Sequence, residues 1–247
     1  MSAQDAAASL SGQNAMRRRS VVRVPESAQD AATSLSDRNA PQRRSVVRVL
    51  KRRVAVTQRV VVDPPHGTRR DCLDQVWTKF LLECGLIPIP VPNSVDVALT
   101  ICEKVDGIVL TGGNDLSAYG GDAPDRDETE NALLDLAERR DLPVLGVCRG
   151  MQVIQHRFGT CLKKVDGHVA ARQRISIHGR SVDVNSFHHF GATEVHPPLM
   201  SWAIADDGVI KAVRHQSRRM VGLMWHPERL QPFAGDDIAL FSRFFEA

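Results

Sequence analysis

The chain has 247 residues, 43% hydrophobic and 25% charged, the size and composition of one soluble α/β domain with some chain to spare. Its net charge of +3 is small and the surplus sits near the N-terminus, so charge gives no ground for a nucleic-acid partner. No apolar run approaches the ~20 residues of a membrane helix. No N-terminal apolar segment suggests export, and the five cysteines show no CxxC spacing. Reduced thiols in a cytoplasmic protein are the economical expectation.

Residues 1–52 differ from the rest. Ser2–Val24 recurs at Ser27–Val49, and two copies are too few to bury a shared core. Ser, Ala, Gln and Arg dominate, which predicts a disordered extension with arginine clusters at Arg17–Arg19 and Arg43–Arg44. Asp5, Glu26, Asp30 and Asp37 argue against a transit peptide. One domain is expected over residues 53–247.

Within it, the β-branched run Val54–Val62 predicts one strand, ended by Asp63-Pro64-Pro65. Leu73, Val76, Trp77, Phe80 and Leu81 recur at helical spacing up to Gly85. A strand over Ile87–Val91, a short helix over Val95–Cys102 and an apolar strand over Gly107–Leu110 follow. Asp125 or Asp127 is a candidate cap for a helix through Arg139, with Leu133, Leu134 and Leu136 on its buried face. Pro143–Val147 is a continuous apolar strand, and Met151–Phe158 a helix closed by Gly159. Short strands at Ile175–Ile177, Ser181–Val184, Trp202–Ala205, Val209–Val213 and Met220–Trp225 precede a last helix over Ile238–Phe245. Alternating β and α units with near-continuous apolar strands predict an α/β fold with a mostly parallel sheet covered on both faces.

Three strand ends carry chemistry. Gly146-Val147-Cys148-Arg149-Gly150 has the form strand–GxCxG–helix, a nucleophile elbow in which small residues let strand and helix pass closely. The helix N-terminus behind Cys148 favours a thiolate; the plain alternative is a buried cysteine in a βα turn. Met220–Trp225 runs into His226-Pro227-Glu228, where residues two apart in extended chain can address each other. Glu228 would orient His226, and His226 would exchange protons with the thiol and the leaving group. Taken alone, His-Pro-Glu is more often an ordinary turn. Leu110-Thr111-Gly112-Gly113-Asn114-Asp115 again opens a buried strand onto glycines, either as a plain turn or as backbone able to approach a ligand closely. The Gly113 and Arg149 N–H groups are the candidate oxyanion donors.

The motifs Leu110–Asp115, Gly146–Gln152, Val184–His189 and Trp225–Glu228 resemble the class I glutamine amidotransferases, and within them the γ-glutamyl-γ-aminobutyrate hydrolase (peptidase C26) family, over about residues 53–245. The resemblance implies a flavodoxin-like sheet and a thioester intermediate, with no cofactor or metal. By residue-level carry-over it implies Cys148 as nucleophile, His226 as base, Glu228 as its orienter, and Gly113 and Arg149 as oxyanion donors. Gly112, Gln152 and the His188–His189 backbone would hold the glutamyl group of a small-molecule substrate. For His188 and His189 the alternative is a solvated loop pair. Phe190 stands where the family often has Gln.

Two segments, 69–77 and 119–127, resemble a branch associated with surface-polysaccharide biosynthesis that includes hydrolases of γ-glutamyl-CDP-amidate. Arg69, Arg70 and Arg126 would then pair with a pyrophosphate, or else be solvated surface charges. The expected activity is hydrolysis of a γ-glutamyl amide by a free-standing enzyme. A glutaminase subunit feeding ammonia to a separate synthase, and a non-catalytic relative with Cys148 as a redox-sensing thiol, are the competing readings. A homodimer and a synthase partner are both compatible with the sequence.

Overall fold

Strands whose every side chain is apolar can be satisfied only between two layers of helix, and this principle organises the domain. A computed structural model describes residues 52–246; the duplicated leader lies outside the described residues. The chain begins with β1 (Arg52–Val56), a hairpin of β2 (Arg59–Asp63) and β3 (Thr68–Cys72), α1 (Gln75–Glu83), β4 (Leu86–Pro90) and α2 (Val95–Cys102). It continues through β5 (Gly107–Leu110), α3 (Pro124–Arg140), β6 (Val144–Val147) and α4 (Arg149–Arg157). The second half adds β7 (Lys163–Lys164), β8 (Val169–Ile177), β9 (Arg180–Phe187), β10 (Phe190–Gly191), β11 (Leu199–Ala205), β12 (Ile210–His215), β13 (Met220–Leu223) and α5 (Gly235–Glu246).

Nine strands form one sheet in the order β4-β1-β5-β6-β13-β12-β11-β8-β9. The first five are parallel. Renumbered by chain order among themselves they read 2-1-3-4-5, the flavodoxin-like order. The last four pair antiparallel. All residues of β5 and β6 are buried. On one face, Trp77, Phe80 and Leu81 of α1 pack with Phe241 and Phe245 of α5. On the other, Ala98 and Cys102 of α2, Leu133 and Leu134 of α3, and Met151 and Ile154 of α4 form a second core.

Two expectations need correction. Val54–Val62 is two strands, because the chain leaves the sheet at Thr57. Thr57 Oγ1 accepts from the Thr111 N–H at 3.0 Å, and the Thr57 carbonyl accepts from Thr111 Oγ1 at 2.8 Å. Asn114 then holds both backbone groups of Val60, each at 2.9 Å, which pins the hairpin beside the Gly112–Gly113 loop. Neither Asp125 nor Asp127 caps α3: Ala123 is the cap, Pro124 the first helical residue, and both aspartates lie in the first turn.

Candidate active site

The strand order brings the three motifs together. β5, β6 and β13 are neighbours running in the same direction, so Gly112–Gly113, Cys148 and His226 leave the sheet side by side at its carboxyl edge, where open α/β sheets hold ligands.

Cys148 joins β6 to α4 at φ +52° and ψ −105°, a conformation costing a non-glycine residue on the order of 1–3 kcal/mol. Its N–H donates to the Leu223 carbonyl at 2.7 Å. Both flanking glycines are required. A Cβ at Gly146 would lie 2.5 Å from the Gly150 carbonyl, and one at Gly150 would lie 2.2 Å from the Leu110 carbonyl oxygen. The thiol is buried, with Sγ 3.8 Å from the Phe187 carbonyl oxygen.

His226 and Glu228 are both buried, with His226 Nδ1 2.7 Å from Glu228 Oε1. The expected pairing is present, but the backbone reaches it differently: Pro227–Arg229 is a 3-10 turn, and only His226 is extended. Burial disfavours the imidazolium, yet hydrogen bonding to Cys148 and Glu228 and their negative charge outweigh it, pushing His226 up to about 9. A Cβ at Gly112 would lie 2.7 Å from His226 Cε1 and 3.6 Å from Cys148 Cβ. Gly112 therefore has no side chain because the imidazole occupies that space.

The other expected residues divide. Gly113, at φ +112°, faces the cleft beside Cys148, Gln152, His188, His189 and His226. The Arg149 N–H is the first of α4, while its guanidinium is buried against Glu130 and Asp127. Gln152 Nε2 donates to the Phe190 carbonyl at 2.9 Å, so the backbone at Phe190 makes a polar contact that its ring cannot. The His188 N–H donates to the His168 carbonyl and the His189 carbonyl accepts from the Val165 N–H. Two of the four backbone groups expected to meet the ligand are thus engaged in the fold.

The three arginines expected to meet a pyrophosphate do not face the cleft. Arg126 is fully buried, donating to Glu130 at 2.9 Å and to the Thr111 carbonyl at 2.7 Å. Burial lowers its pKa to about 10 against the raising effect of Glu130. Burial would raise the Glu130 carboxyl, but Arg126 and Arg149 overcome it and hold its pKa down. Arg69 and Arg70 are exposed, Arg69 against the Asp122 carbonyl and Asp125, Arg70 against Asp63. The cleft arginines are instead Arg59 and Arg229, which line it with Cys148 and His226. Arg229 also stacks over Phe187, 5.0 Å from the ring centroid.

Sequence reasoning missed five contributors: Arg59, Glu130, Asn185, Lys211 and Arg229. The Arg126–Glu130 spacing on a helix was a visible signal for one. Asn185 holds the His226 backbone, and Lys211 is a buried cation beside His188. Asn185 lies inside the Val184–His189 motif, whereas nothing local distinguishes Lys211.

The Peptidase C26 family model matches residues 54–174 and 168–228. The chain is 28% identical over 181 residues to the γ-glutamyl-CDP-amidate hydrolase of Campylobacter jejuni, covering 71% of this chain and 90% of that protein. It is 28% identical over 165 residues to one component of the glutamine-hydrolysing GMP synthase of Methanococcoides burtonii, covering 63% and 80%. The fold matches a glutamine amidotransferase structure from Thermotoga maritima with a TM-score of 0.57 at 15% identity, over 78% of this chain and 84% of that one. No helix among the described residues is long and apolar enough to cross a membrane. With the elbow, the His-Glu pair and the family's sequence pattern on one chain, the protein belongs to the peptidase C26 family of class I glutamine amidotransferase-like hydrolases.

Proposed function

We propose that the protein hydrolyses a γ-glutamyl amide through a thioester on Cys148. The observation that carries this reading is the strained Cys148 beside the buried His226–Glu228 pair. The thiolate adds to the γ-carbonyl carbon, and the carbonyl electrons move onto oxygen between the Gly113 and Arg149 N–H groups. Collapse expels the amine, which takes a proton from His226, and leaves the glutamyl thioester. Water gives a proton to His226, adds to the thioester and releases glutamate and the thiolate. Gln152 and the unengaged backbone of His188–His189 hold the glutamyl end. The steps draw on side chains, backbone N–H groups and water, and a reduced thiol suits the cytoplasm.

The leaving group is anionic on this reading, of the phosphoramidate type. Its support is the pair of guanidiniums, Arg59 and Arg229, lining the cleft, together with the similarity to the Campylobacter γ-glutamyl-CDP-amidate hydrolase. A glutaminase serving a separate synthase is the second reading, favoured by the GMP synthase relative. Incubating the purified chain with glutamine, γ-glutamyl-aminobutyrate and γ-glutamyl-CDP-amidate separates them by glutamate release. Preference for the nucleotide, lost on Arg59→Ala and Arg229→Ala, is the expected result. Turnover of glutamine alone, and only with an added synthase, would replace it with the second reading. Full activity in Cys148→Ala would end both.

A further inference from the structure

The chemistry above leaves a buried ion cluster unused. Glu130, on α3, is fully buried, as is Arg126 one helical turn before it, and Arg149 is 1% exposed. Neither guanidinium reaches water, so each must find its acceptors inside the protein. Arg126 Nε donates to Glu130 Oε1 at 2.9 Å, and Arg149 donates from Nη1 to Glu130 Oε2. One carboxylate therefore bridges two arginines, one oxygen to each. Asp127 accepts from the other nitrogen of the Arg149 fork, so two carboxylates offset the two cations.

The far ends of the two arginines give the bridge its meaning. Arg126 Nη2 donates to the Thr111 carbonyl at 2.7 Å, and a Cβ at Gly113 would lie 3.0 Å from its Nη1. Arg126 thus underlies the Thr111–Gly113 turn, which carries one candidate oxyanion donor. Arg149 opens α4, and its own N–H is the other. These donors leave different strands, β5 and β6, yet they must meet one oxygen. The register between those strands ends at Leu110 and Gly146. Past that point the Glu130 carboxylate spans from one strand's exit to the other's.

We propose that Glu130 is a positioning residue for the oxyanion hole: its buried carboxylate, bridging Arg126 and Arg149, sets the spacing of the Gly113 and Arg149 N–H groups. The proposal rests on the γ-glutamyl reading, since an oxyanion forms only if Cys148 adds to a carbonyl.

Reach, as well as charge, carries the role. Glu130→Asp keeps the charge but is one methylene shorter, so it cannot meet both guanidiniums where they stand. Glu130→Gln keeps the length but turns an NH2 toward one of them. The supports of the nucleophile and base lie elsewhere. The Cys148 N–H is held by the Leu223 carbonyl, and His226 by Asn185 and Glu228. A loss confined to the oxyanion lowers kcat and kcat/KM together.

The test compares two kinds of reaction at Cys148 in the full chain. Turnover of a γ-glutamyl substrate puts an oxygen in the hole. So does reversible addition of the thiol to 5-oxopentanoate, an aldehyde counterpart of the glutamyl group that lacks its amine. Alkylation by iodoacetamide displaces iodide at a saturated carbon and puts none there. Glu130→Gln should lower kcat and kcat/KM equally, by about 100-fold, and weaken aldehyde binding by about the same factor. Its alkylation rate should stay within about threefold of native. Glu130→Asp should show the same pattern with a loss of about tenfold. Alkylation slowed as much as turnover overturns the proposal, because the cluster would then support the sulfur or the whole fold. Native turnover in Glu130→Asp overturns it too, since charge balance would suffice. If Glu130→Gln does not fold, having left buried charge uncompensated, Glu130→Asp decides alone by the same comparison. A native protein that cleaves no γ-glutamyl compound and takes up no aldehyde defeats the functional reading and this proposal with it. An active native protein with unaffected variants defeats the proposal alone.

Discussion

Asn185 holds His226 by both of its backbone polar groups, accepting from the His226 N–H at 2.7 Å and donating to the His226 carbonyl at 2.8 Å. It belongs to β9, four strands away from β13 in the sheet, so the antiparallel half curls back to fix the imidazole. All of these groups are buried. Asn185→Ala leaves two backbone groups unpaired in the core, at a cost of about 2–4 kcal/mol. Because the ring it frees must stay aligned with the sulfur, kcat should fall at least ~10-fold. Denaturant melts alongside glutamate release measure both; an Asn185→Ala variant with native midpoint and native kcat would refute the clamp.

The elevated pKa of His226 sets an alkaline limit. Held at about 9, the imidazole is protonated at neutral pH and can protonate a leaving amine, and that ability is lost as pH rises through 9. Because Glu228 contributes to the elevation by hydrogen bond and by charge, Glu228→Gln should move the limb of the kcat profile toward neutral pH. It should also cut kcat by at least ~100-fold, since the orienting carboxylate is gone. A limb at the same pH in both proteins would show that another group controls it.

Gly112 and Gly150 should respond differently to alanine. At Gly112 the added methyl meets a side chain, 2.7 Å from His226 Cε1, so the imidazole can move away. Kcat should drop ~100-fold with little loss of stability. At Gly150 it meets backbone, 2.2 Å from the Leu110 carbonyl oxygen, and strand and helix cannot both keep their places. Gly150→Ala should yield little soluble protein. Equal activity losses at equal stability would contradict this distinction.

Asp237 should make the domain less stable as pH rises. It is buried, and burial raises its carboxyl to about 6 while the hydrogen bond from Trp225 Nε1, at 3.1 Å, lowers it. Since the folded form binds this proton more tightly than the unfolded chain does, its favourable contribution is complete below the ordinary aspartate pKa of 3.8 and is lost as pH rises through about 6. Asp237→Asn keeps an acceptor for Trp225 and removes the ionisation. It should raise stability at neutral pH by on the order of 2 kcal/mol and flatten the melting temperature between acid and neutral pH. A neutral-pH melting temperature at or below the native value would count against the assignment.

Much of the candidate site was legible because its parts are local. A nucleophile elbow needs an apolar strand, a glycine on each side and a helix start, all within Val144–Gln152. The His226–Glu228 pair spans three residues, and Gly112–Gly113 directly follows a buried strand. Periodicity also placed most helices and the parallel strands, since burial on both faces leaves a continuous apolar run.

What the chain order could not reveal was partnership. Val54–Val62 looks like one strand until Thr57 meets Thr111 and Asn114 takes hold of Val60. Arg126, which reads as a surface charge or a phosphate ligand, is buried against Glu130 and Thr111. Arg59, Asn185 and Lys211 gained their places only when strands far apart in sequence came together. Nearest-neighbour pattern settled which residues could carry the chemistry. Three-dimensional packing alone decided which charges are buried and which face the cleft, because those depend on atoms that approach within a few ångströms only after the sheet has closed over its helices.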